Sequence, residues 1–129
     1  MRLVDRVLVV DAHDIEAVSA VSGREPCFAA GAGPYPEVLV LEALVQAAAV
    51  LWLATTAAPA HSGLVLAAIR GARFGATAGP GDVLRHRAHL LSATAGRAVL
   101  SGRTTLAADG RSIVEVREMV LVRPRVGSA

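Results

Sequence analysis

Pro36-Glu37-Val38-Leu39-Val40-Leu41-Glu42-Ala43-Leu44-Val45-Gln46-Ala47-Ala48-Ala49-Val50-Leu51-Trp52-Leu53 is the stretch on which the fold turns. It predicts one long apolar helix opening at Pro36, a residue suited to the first turn, with Glu37 complementing the positive end of the helix dipole. The helix is expected to end near residues 55–56, ahead of Pro59. Past the first turn its only polar side chains are Glu42 and Gln46, four apart and so on one face. A carboxylate within so apolar a helix is costly unless paired, protonated or used. Glu42 is therefore the first candidate for chemistry.

Working outward, residues 2–10 and 15–21 read as strands separated by Asp11-Ala12-His13-Asp14. Residues 25–36 are too rich in Gly and Pro for a regular element. Beyond the helix, strands are predicted at 64–74, 83–92, 97–106 and 112–122, with turns at Gly79-Pro80-Gly81-Asp82, Ala95-Gly96 and Asp109-Gly110. Val99, Ser101, Arg103 and Thr105 alternate with Leu100, Gly102, Thr104 and Leu106. In the last strand the same pattern sets Ile113, Glu115, Arg117 and Met119 against Val114, Val116, Glu118 and Val120. Such an order implies an α+β fold, an antiparallel sheet curling round a single helix, in one domain over residues 1–129.

Composition narrows the function classes. Hydrophobic residues make up 53% and charged residues 19%, so part of the apolar excess is expected to face another subunit. Every basic residue among the thirteen is Arg, yet the net charge is only +2 and aromatics are 3%, a poor basis for nucleic-acid binding. Cys27 is the only cysteine, which excludes an internal disulfide or a Cys-based zinc cluster. Glu42, Gln46 and Pro59 interrupt the apolar run, which is read as a core helix rather than a membrane span. The charged opening Met1-Arg2-Leu3-Val4-Asp5-Arg6 does not resemble a signal peptide, so a cytoplasmic protein is expected.

Five short motifs in order resemble the hotdog-fold 3-hydroxyacyl-acyl carrier protein dehydratases of fatty acid synthesis. They are Leu3-Val4-Asp5-Arg6-Val7, Glu25-Pro26-Cys27-Phe28, Glu42-Ala43-Leu44-Val45-Gln46-Ala47-Ala48, Ala72-Arg73-Phe74 and Pro80-Gly81-Asp82. The resemblance implies a hotdog fold: a curved antiparallel sheet around one central helix. It implies water elimination from an acyl thioester on an acyl carrier protein, with no cofactor or metal. It places the catalytic glutamate at Glu42, and substrate contacts at Phe28, Gly31, Tyr35, Val38 and Gln46. Gln46 by itself reads first as a hydrogen-bond partner for the interior. Arg70 and Arg73 are candidates for docking the acidic carrier protein, although these strand arginines, with Arg85 and Arg87, can equally solvate the sheet.

The family's mechanism pairs that glutamate with a loop histidine from the other subunit of a dimer. Its loop reads Gly-His-Phe-Pro-Gly; here residues 29–37 hold no histidine and are about three residues shorter by motif alignment. His13 and His61 read as loop residues, and His86 and His89 as strand residues on opposite faces. Cys27 reads as an apolar filler. The expectation is a dehydratase subunit in a polyketide or specialised fatty acid pathway, giving Glu42 to a site whose His comes from a partner hotdog subunit. A non-catalytic scaffold subunit, or a homodimeric thioesterase or isomerase using Glu42, are the alternatives.

Overall fold

Residues 3–22, 33–55 and 63–124 are described in the computed structural model. The chain order is β1 (Arg6–Val10), β2 (Asp14–Ala20), α1 (Glu37–Thr55), β3 (Val65–Phe74), β4 (Val83–Ala93), β5 (Arg97–Leu106) and β6 (Ser112–Val122). The six strands form one antiparallel sheet in the order β1-β2-β4-β5-β6-β3. The helix between β2 and β3 thus carries the chain from one side of the sheet to the other edge. This is the hotdog architecture that the motif order implied.

α1 has the length and composition of a membrane span, with a mean hydropathy of 2.0 over its most apolar window. Here it serves as core. Val40, Ala43, Leu44, Ala47, Ala48, Leu51 and Trp52 are buried, and the helix packs on β2, β4, β5 and β6. Each fully buried Leu or Val contributes about 1.5–3 kcal/mol relative to exposure. Small residues at 43, 47 and 48 let the helix approach the sheet closely. Gly102 completes that approach from β5, since a Cβ there would lie 2.7 Å from Met119 Cε and 3.0 Å from a Leu44 methyl.

The turns follow their chemistry. In Gly79-Pro80-Gly81-Asp82, Asp82 N–H donates to the Gly79 carbonyl (3.1 Å) and Gly81 has φ +90°, as a type II turn requires. Gly110 (φ +77°) closes the β5–β6 hairpin by donating to the Leu106 carbonyl at 2.8 Å. Tyr35 is buried, and its N–H donates to the Ala78 carbonyl, which ties the start of α1 to the segment before β4.

Two expectations are corrected. β1 begins at Arg6 rather than residue 2, because the Leu3 N–H turns aside to Gln46 Oε1 on α1 (2.8 Å). In β6 the strict alternation fails beyond Val116. Leu100 and Gly102 on β5 face Met119 and Val116, so β6 holds one extra residue and Met119 joins Val116 on the buried face. β3 has its own register shift against β6, between Leu66 and Ala68, and its Gly71 has φ +67°.

Candidate active site

Glu42 is the only ionisable side chain of α1 beyond its first turn, and it lies on the face turned away from the sheet. It is exposed in the single chain. The cause is helical phase. Val40, Leu44, Ala47 and Leu51 take the sheet face, leaving Val38, Glu42 and, part-buried, Gln46 on an i, i+4, i+8 stripe. Val38 at 60% and Val50 at 36% exposure extend that stripe as an apolar wall. β3 lies at the sheet edge beyond the main footprint of the helix, with Val65, Leu66 and Phe74 between 41% and 48% exposed. Glu42 is thus a carboxylate set beside exposed apolar surface.

Of the other predicted contacts, Tyr35 is buried one turn before Val38, at the helix entrance. Gln46 holds the Leu3 N–H, so it acts as the interior hydrogen-bond partner that its residue type suggested. Phe28 and Gly31, with Cys27 and His61, fall outside the described residues.

Comparison with known proteins decides the family. The FabA-like domain family matches residues 1–117. The chain is 35% identical over 129 residues to the 3-hydroxyacyl-(acyl-carrier-protein) dehydratase FabZ of Pasteurella multocida, covering 95% of this chain and 82% of that one. It is 37% identical over 130 residues to the same enzyme of Nitrosospira multiformis, covering 95% and 87%. This chain belongs to the FabA-like family. Among solved structures, the fold is similar to the dehydratase heterocomplex ApeI:P of Xenorhabdus doucetiae, with TM-score 0.78, 21% identity and coverage of 95% and 83%. It is also similar to the PaaI protein of the E. coli phenylacetic acid degradation operon, with TM-score 0.71, 11% identity and coverage of 93% and 79%.

Three histidines, His13, His86 and His89, lie among the described residues of this FabZ-like chain. His86 on β4 is fully buried. Its Nε2 lies 2.8 Å from Ser19 Oγ on β2, and its Nδ1 lies 2.8 Å from Thr104 Oγ1 on β5. Burial lowers its pKa to about 4, against a smaller opposing pull from the Asp5 carboxylate, so the ring is neutral near pH 7. A neutral ring with one hydroxyl on each nitrogen is a satisfied core group. His89, on the opposite face as its strand phase predicted, bonds Asp14 Oδ1 through Nδ1 at 2.8 Å. His13 is exposed, in the bend before β2.

The two predicted docking arginines differ. Arg70 pairs with Glu118 at 3.4 Å, whereas Arg73 lines a broad groove together with Arg87, Arg103 and Arg117. Sequence reading missed two features. The Ser19–His86–Thr104 chain joins β2 to the β4–β5 hairpin, far from it in sequence. At the far end of α1 the Arg123 guanidinium lies 5.2 Å over the Trp52 ring, and the buried Trp52 Nε1 has no hydrogen-bond partner among the described residues. The polar residues lying at alternate positions of their strands were the one available signal for the first.

Proposed function

We propose that this FabA-like protein is the glutamate-bearing subunit of a composite 3-hydroxyacyl-acyl carrier protein dehydratase. The single observation that carries the reading is the pairing of two facts. Glu42 stands at the family's catalytic glutamate position on an uncovered apolar stripe, and residues 29–37 lack the histidine that should complete it. In the reaction one group removes a proton from the carbon next to the thioester. The C3–O bond then breaks, and the hydroxyl leaves as water with a proton from the second group. Glu42 is one member of that pair, and the other is a histidine brought by a partner hotdog subunit across the β3 edge. That a dehydratase heterocomplex stands among the similar structures favours this arrangement.

The acyl chain lies along the stripe of Val38 and Gln46, with Tyr35 one turn before it; Phe28 and Gly31 are the further substrate contacts that the family resemblance implies. The first-turn amides of α1 have no carbonyl four residues before them within the helix and polarise the thioester carbonyl. The substrate arrives on an acyl carrier protein, for which Arg70 and Arg73 provide cationic contacts, in a cytoplasmic polyketide or specialised fatty acid pathway.

The chain alone should not dehydrate a 3-hydroxyacyl carrier thioester. Co-expression with a hotdog subunit that retains the loop His should yield the enoyl product, and Glu42→Gln in that complex should abolish it. Undiminished turnover with Glu42→Gln would overturn the catalytic assignment and leave this chain as a scaffold. Dehydration by the purified chain would overturn the divided site.

A further inference from the structure

The sheet face opposite α1 carries a charged row of which the dehydratase reading uses only the end residue, Arg73. Register places Glu16 on β2 opposite Arg87 on β4, Arg87 opposite Arg103 on β5, Arg103 opposite Glu115 on β6, and Glu115 opposite Arg73 on β3. The row therefore reads Glu-Arg-Arg-Glu-Arg across five adjacent strands. Four of these residues border an open groove of about 890 Å³ that Gly71, Ser101 and Gly102 also line. Within one chain the row is imperfectly compensated. Glu16 is shared between Arg85 (3.1 Å) and Arg87 (3.6 Å), and Arg103 reaches Glu115 only at 3.5 Å. Arg73 and Arg117 make no ion pair among the described residues. Arg87 and Arg103 stand directly opposite each other, a like-charge pair that disfavours the isolated face.

We propose that this face pairs with the same face of a second copy of the chain, about a two-fold axis running along β5 over Arg103. Reversed, the row is nearly its own complement. Glu16 meets Arg73 of the second copy and Arg87 meets Glu115, each contact occurring twice, with only Arg103 meeting itself. An axis across the strands would instead set every charge against its like, so the row selects one of the two face-to-face arrangements. An isologous contact of this kind needs self-complementarity, which a row with a different order of the same charges would lack. The row spans four inter-strand steps of about 4.8 Å, or about 20 Å, a small footprint. The contact is therefore weak and salt-sensitive, and it leaves free the β3 edge at which the proposed function seats a partner subunit.

Sedimentation of the full chain across ionic strength tests this. The mass should double at low ionic strength and return to the smaller unit at high salt. Arg87→Glu and Glu115→Arg should each weaken the doubling about tenfold or more, by placing like charges across the axis. The two changes combined in one chain restore opposition at that position and should recover the association. Circular dichroism confirms that each variant is folded. A mass independent of salt, or a double variant no better than the singles, overturns the proposal. Binding of an acidic polyglutamate peptide without self-association would also overturn it, assigning the face to a foreign acidic partner.

Discussion

Glu42 and His86 show how one residue's neighbourhood, rather than its type, decides its task. Glu42 sits on uncovered apolar surface where a second subunit can enclose it. Replacing a general acid or base costs about 10²–10⁴ in rate, so Glu42→Gln in the active complex should lower kcat by at least that order while leaving stability of the chain nearly unchanged. His86 is the converse, a titratable group enclosed by its own fold. Its folded pKa of about 4 lies below the ordinary 6.5, so the unfolded chain binds more protons between those values. Its contribution to stability is complete above about pH 6.5 and declines as pH falls toward 4, by up to about 3 kcal/mol. Denaturant midpoints measured from pH 4.5 to 7.5 should fall on acidification, and His86→Gln should flatten that dependence.

At the scale of elements, the contact between α1 and the sheet depends on what β5 and β3 leave out. Gly102 makes room for Leu44 and Met119, so Gly102→Val should overpack this junction and cost about 1–3 kcal/mol, read as a lowered Tm. Gly71 combines φ +67° with an Arg117 Cβ that would lie 2.8 Å from any added Cβ, so Gly71→Ala should destabilise through both strain and collision. The helix, its limits and the turn at Pro80-Gly81 were legible because each rests on short-range chemistry: apolar composition, a helix-opening Pro, a Gly for positive φ. The register shifts of β6 against β5 and of β3 against β6 were not legible. Alternation read along one strand carries no information about where its neighbour's register slips.

For the whole molecule, the sheet presents two kinds of surface. The β3 edge and the adjoining helix stripe are apolar, with Val65, Leu66, Phe74 and Val38 exposed, and the face away from the helix is ionic. Assembly through the edge should therefore resist salt, and Leu66→Lys should weaken it by placing a charge in desolvated surface, seen as a smaller sedimenting species at high ionic strength. The residue types of Glu42 and of the histidine-free loop could be read directly from the chain, and so could the family's motif order. The exposure of Glu42, the capture of Leu3 by Gln46, the enclosure of His86 and the charged row could not. The amino-acid sequence by itself determined the elements, their order and the isolated acid, because those depend on neighbours within a few residues. Only the tertiary structure decided which side of α1 faces the sheet and which charges stand opposite one another, because burial and register are set by partners dozens of residues away.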